Sequence, residues 1–160
     1  MDNTGYSLLE ELFGSKEFPP DVNTQFARVL LMIVGGDGVI SAAEWSYLAG
    51  KAKVLGVPNE EIESWNAIDY RSGDLSTEAK RYWNVLGMTA NDLFYEAVKM
   101  SSVDGYTERE RNALRISARS CGVPESVVQQ IENLCALEDR VREMRISLLF
   151  PGGAISRSAG

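Results

Sequence analysis

Apolar residues recur at helical spacing along most of this chain. In "DVNTQFARVLLMIVGG" the residues Val22, Phe26, Val29, Leu30 and Ile33 share one face, at the intervals of a helix that buries one stripe. In "SAAEWSYLAGKAKVLG" the stripe is Trp45, Leu48, Ala52 and Leu55. In "ESVVQQIENLCALEDRVREMRISLLF" it is Val127, Ile131, Leu134, Leu137, Val141 and Met144. "NTGYSLLEELFG", "NEEIESWNAIDY", "STEAKRYWNVLG", "TANDLFYEAVKMSS" and "TERERNALRISARSCG" also read as helices. No segment alternates with period two for long enough to demand a strand. The pattern predicts an all-α fold of seven or eight helices, one domain over residues 1–150, with a flexible tail over 151–160.

Polar residues punctuate these stripes. Asp21, Asn59 and Ser76 stand where helix caps are expected. Ser41 with Glu44, and Thr107 with Glu110, have the spacing of capping boxes. Gly56 and Gly122 follow the last apolar position of their helices, where a left-handed residue ends the helix, and Pro58 and Pro124 prevent continuation. "WNAIDYRSGDLS" is the longest connection and carries Asp69 and Asp74, with no chemistry that its residues name.

These punctuation marks occur twice. At an offset of 66 residues Ser41 meets Thr107, Glu44 meets Glu110, Leu48 meets Leu114, Ala52 meets Ala118, and Gly56-Val57-Pro58 meets Gly122-Val123-Pro124. Upstream the offset is 67, pairing Asp37-Gly38 with Asp104-Gly105, so the second loop is one residue shorter. The repeat units span about 21–66 and 89–135. Two units are too few for a solenoid. They point to two halves related by an approximate twofold axis around a shared core.

Composition narrows the function classes. The chain has 160 residues, 44% hydrophobic and 24% charged, with a net charge of −7, as expected for an ordinary globular domain. Residues 1–105 hold 16 acidic and 8 basic side chains, and residues 106–150 hold 7 of each. That balance argues against nucleic-acid binding, which needs clustered Lys and Arg. The arginines after residue 105 alternate with glutamates, as on a solvated helix face. The chain has no histidine, which removes the commonest zinc ligand, the usual general base and the Ser-His-Asp triad. The opening residues lack the pattern of a signal peptide, and the run Val29–Val34 is too short to span a bilayer. A cytoplasmic protein is expected. Cys121 and Cys135 fit reduced thiols; a disulfide between them is an alternative that no secretory signal supports. Cys121 falls where Leu55 stands in the first unit, a core position. Trp45, Trp65, Tyr82, Trp83 and Phe94 read mostly as core.

"GGDGVISAAEWSYLAGKAKVLGVP" together with "SVDGYTERERNALRISARSCGVP" resembles the paired Asp-Gly-x-x-Ser-x-x-Glu motif of the TerB-like family, the tellurite-resistance TerB domains. The resemblance covers roughly residues 20–135. It implies a compact bundle of about seven helices with internal pseudo-symmetry, a cytoplasmic setting in stress response, and a metal ion on acidic motif residues. Carried onto this chain, those residues are Asp37 and Glu44 in the first unit, and Asp104 and Glu110 in the second. The short second loop means that the two sites cannot be identical. Gly36 and Val103 stand where the family often has alanine.

Two readings of the acidic motif stand side by side. In the first it is structural: the glycine lets one helix end and the next begin, the Asp bonds its own backbone, and Ser/Thr with Glu cap the following helix. In the second, Asp37 and Asp104 follow apolar helices, where the negative end of the helix dipole disfavours a carboxylate. A cation would offset that. All-oxygen donors select Ca²⁺, Mg²⁺ or Mn²⁺. The motif is not an EF-hand, and "GGDG" follows a helix and lacks the lysine of a phosphate loop. The expected function is a non-enzymatic interaction or sensing module with a protein partner, no nucleic acid and no transmembrane segment. The exposed positions of the last helix could pack within the chain or form a homodimer. The alternatives are a metal-dependent hydrolytic enzyme, which needs the two loops to converge, and a purely structural scaffold.

Overall fold

The computed structural model describes residues 22–86 and 90–152, without the side chains of Asp37 and residues 83–86. The helix expected over Asn3–Gly14, the cap at Asp21 and most of the tail lie outside the described residues, and so does the Trp83 side chain. Seven α-helices and two 3₁₀ turns are described, with no strand among the described residues. They are α1 (Val22–Val34), a 3₁₀ turn (Gly35–Asp37), α2 (Ala42–Val54), α3 (Asn59–Ser64), a second 3₁₀ turn (Trp65–Ala67), α4 (Leu75–Leu86), α5 (Asn91–Ser101), α6 (Glu108–Ser120) and α7 (Glu125–Leu149).

Helix α1 is central. The spacing of its apolar residues predicts one buried stripe, but every residue from Val29 to Val34 is buried, and Ala27 too. Such a helix must be covered on all sides. It packs against α4, α5 and α6, and α5 packs in turn on α7. Trp65, Phe94, Leu93, Met100 and Leu114 fill the space between them. Tyr82 is also buried, and Trp45 is half-buried against the core.

The two units repeat in backbone detail. Ser41 and Thr107 hold φ −75° with ψ 162° and 160°. At the end of α2 Val57 N–H donates to Ala52 C=O (3.0 Å) and Gly56 N–H to Lys53 C=O (3.1 Å). At the end of α6 Val123 donates to Ala118 (2.8 Å) and Gly122 to Arg119 (3.1 Å). Both ends are Schellman motifs, closed by glycine at φ 82° and 74°. Leu48 and Leu114, Ala52 and Ala118, and Ile62 and Val128 are buried pairwise, as their alignment requires.

Three local expectations change. Helix α3 begins at Asn59 itself with Pro58 as its cap, because Pro58 already holds the extended backbone a cap needs. Helix α4 begins before Ser76. Its cap is Asp74, whose Oδ2 accepts from Thr77 N–H at 2.8 Å and from Thr77 Oγ1 at 2.6 Å. In α7 the core face is Val128, Ile131 and Cys135, whereas Leu134, Leu137, Val141 and Met144 are exposed. Neither cysteine is in a disulfide, and Cys121 is half-buried at the α6 cap, matching Leu55 at the α2 cap.

Two glycines should respond oppositely to alanine. A Cβ on Gly122 meets nothing within 4 Å, so Gly122→Ala carries the positive-φ strain alone and should lower unfolding stability by about 1–2 kcal/mol. Gly50, exposed inside α2, also meets nothing within 4 Å; Gly50→Ala should raise stability by about 0.5–1 kcal/mol. Urea denaturation followed by circular dichroism reads both signs.

Candidate functional site

Each acidic loop is built by the helix that precedes it. Helix α1 tightens into the turn Gly35–Asp37, which Gly38 closes at φ 103° with its N–H on Gly35 C=O (2.8 Å). Glycine is required at Gly35, where any Cβ would meet the Tyr70 ring at 2.6 Å. Next to it, Gly36 lies against Ser117 and Ala113 of α6, so the first loop rests directly on the second unit. In the second loop Gly105 takes φ 114°.

Both capping boxes form. Ser41 N–H donates to Glu44 Oε2 (2.6 Å) and Glu44 N–H to Ser41 Oγ (3.1 Å). Thr107 N–H donates to Glu110 Oε2 (2.6 Å) and Glu110 N–H to Thr107 Oγ1 (3.3 Å). The hydroxyls differ in their own donation. Thr107 donates to Glu110 in its own box (2.6 Å), whereas Ser41 donates across the halves to Asp104 Oδ2 (2.7 Å).

That bond joins the two motifs. Glu44 is only 3% exposed. Burial pushes its pKa up, and repulsion from Asp104 and Glu110 adds to this, against the lowering by its bond from Ser41 N–H. Three of the four expected site residues, Glu44, Asp104 and Glu110, therefore share one electrostatic neighbourhood. The backbone of the fourth, Asp37, ends the adjoining 3₁₀ turn, and its side chain lies outside the described residues. Among the described residues no group of three or more Cys, Asp or Glu stands close enough to hold an ion by itself.

No motif or spacing points to Arg71. Its guanidinium Nη2 donates to Gly38 C=O (2.8 Å), and it stacks at 5.1 Å on Tyr70, the ring that covers Gly35. The longest connection, whose residues name no chemistry, thus brings a fixed cation to the first acidic loop. Arg111 and Arg115 also depart from the solvated-face expectation. Glu132 of α7 pairs with both, at 3.3 and 3.5 Å, and Arg111 stacks on Tyr106 at 4.5 Å. These residues line a groove of about 370 Å³ walled by α5, α6 and α7. Glu96, 1% exposed, is paired with Lys51 and accepts from Tyr47 Oη (3.3 Å). The signal for these pairs is faint: residues on separate helices with no fixed sequence spacing. Burial raises the Cys121 thiol and holds the Cys135 thiol at about 11, so neither is activated as a nucleophile.

Glu44 carries a testable pH dependence. A raised carboxyl pKa means that the folded chain holds the proton more tightly than the unfolded one. The associated stability is present below the ordinary glutamate range and is lost as pH rises through the raised value. Glu44→Gln keeps an acceptor for Ser41 N–H and removes the charge. It should raise the melting temperature at pH 8 and leave it unchanged near pH 4, measured by calorimetry across that range.

No protein-family model matches the sequence, and no curated protein matches it. A tellurite resistance protein from Nostoc punctiforme, solved by crystallography, is similar in structure, with a TM-score of 0.83 and 27% sequence identity over 92% of each chain. The all-helical fold of this chain is therefore TerB-like, as the resemblance of the doubled motif implies.

Proposed function

We propose that this chain is a non-enzymatic interaction or sensing module of a tellurite-resistance or stress response, with a divalent cation held weakly at the junction of its acidic loops. The similarity to a tellurite resistance protein supports the setting. The observation that carries the cation is the Ser41–Asp104 bond, which brings the second acidic loop onto the cap of the first. Glu44, Asp104 and Glu110 each spend one oxygen on hydrogen bonds of the junction. An all-oxygen donor set suits Ca²⁺, Mg²⁺ or Mn²⁺ over zinc. The described carboxylates form no complete cage; Asp37, which occupies the same motif position as Asp104, is the further donor the sequence offers, and water would fill the rest. A hard ion that keeps part of its water fits such a set.

Charge balance supports the same reading. Burying Glu44 beside two other acids is unfavourable. A cation at the junction would relieve this repulsion. The hydrolytic alternative shares the convergence of the loops but needs a general base, and the raised Glu44 carboxyl is committed to its capping box.

Titration calorimetry and thermal melting with Mg²⁺, Ca²⁺ and Mn²⁺ test the proposal. At ten times the dissociation constant, an ion bound only by the folded chain adds about 1.4 kcal/mol, a rise of roughly 3–5 °C for a domain of this size. The double variant Asp37→Asn with Asp104→Asn should lose both the heat and the rise. No shift at millimolar ion, or an equal shift in the variant, overturns it.

A further inference from the structure

The second half of α7 carries a face that the bundle does not use. Residues 140–150 are all exposed. Leu134, Leu137, Val141, Met144 and Leu148 follow at intervals of three, four, three and four, the a and d positions of a coiled-coil seam. Their exposure runs from 47% at Leu134 to 80% at Leu148. The core-facing residues of the same helix, Val128, Ile131 and Cys135, lie on a different face. Isolated exposed apolar side chains are ordinary, but five in one row over about 21 Å of helix form a patch that soluble proteins cover.

We propose that this seam joins two copies of the chain as an antiparallel two-helix coiled coil. A second copy supplies the same spacing by symmetry. Charge allows the approach: along the seam Glu138, Asp139 and Glu143 balance Arg140, Arg142 and Arg145, in a chain whose net charge is −7. Charge also sets the direction. With Leu134 as an a position, Glu138 and Arg145 are e positions and Arg140 is a g position. Parallel pairing sets g against the next e, bringing Arg140 of one copy to Arg145 of the other. Antiparallel pairing sets e against e, bringing Glu138 opposite Arg145 on both sides of the dyad. Tyr95 Oη (2.8 Å) and Lys99 Nζ (3.3 Å) already hold the Glu138 carboxylate in place, so little side-chain freedom is lost on pairing.

Five apolar side chains per copy make a small interface, near or below about 1,200 Å² in total, so the dimer should assemble at micromolar protein. Sedimentation equilibrium of the full chain between about 5 and 500 µM reads this directly. The expected result is a rise from monomer to dimer mass. Leu137→Glu with Met144→Glu should stay monomeric throughout and melt as the dilute, monomeric wild type does, because both positions are exposed in the single chain. Arg145→Glu should weaken association about tenfold, since it sets a second carboxylate against Glu138 in the antiparallel pair. A wild type that remains monomeric, or a double variant that still dimerises, overturns the proposal. Tighter association of Arg145→Glu overturns the antiparallel direction. A monomeric wild type whose melting temperature falls in the double variant would show that another segment of this chain, with residues 3–14 the candidate, covers the seam instead.

Discussion

Helix α1 has no side on which water can be left from Val29 to Val34, and the rest of the architecture follows from covering it. One partner helix covers only a stripe of another. The chain meets the demand with α4, α5 and α6. Two of these belong to the second repeat unit, so neither half can complete its core without the other. This interlocking of units explains why the repeat works as a pair and not as an extendable array.

The same constraint makes the acidic junction. To pass from α1 into α2 the chain must reverse beside α6, and Gly35 and Gly36 let the backbone lie against Tyr70, Ser117 and Ala113. That contact carries the cap of the first unit to the loop of the second. Once there, Ser41 finds Asp104, and Glu44 is buried among like charges. The geometry accommodates this because the capping-box bonds from Ser41 and Thr107 hold the Glu44 and Glu110 carboxylates in place. The acidic motif is thus complete as a helix-reversal device and, at the same point, an electrostatically loaded one.

Much of this is legible from local chemistry. The capping boxes at Ser41 and Thr107 and the glycine stops at Gly56 and Gly122 each depend on residues within a few positions of one another. Their spacing therefore determines their geometry. Where expectation and structure part, the causes are equally local. Asn59 and Ser76 have the chemistry of caps, but Pro58 already holds the extended backbone, and Asp74 offers a stronger acceptor two residues before Ser76. The α7 pattern mixes two faces, because one helix carries both a core stripe and an exposed seam. Periodicity alone does not say which of them meets the bundle.

Residue order alone carries the helical class, the capping boxes and glycine stops of α2 and α6, and the doubled Asp-Gly units, because each is set by short-range hydrogen bonding and backbone sterics. Folding in three dimensions adds that α1 is buried all round, that Arg71 reaches the first loop, and that Glu44 lies beside Asp104 and Glu110. The last two relations join residues 33 to 66 positions apart. Packing fixes such distances, and no periodicity encodes them.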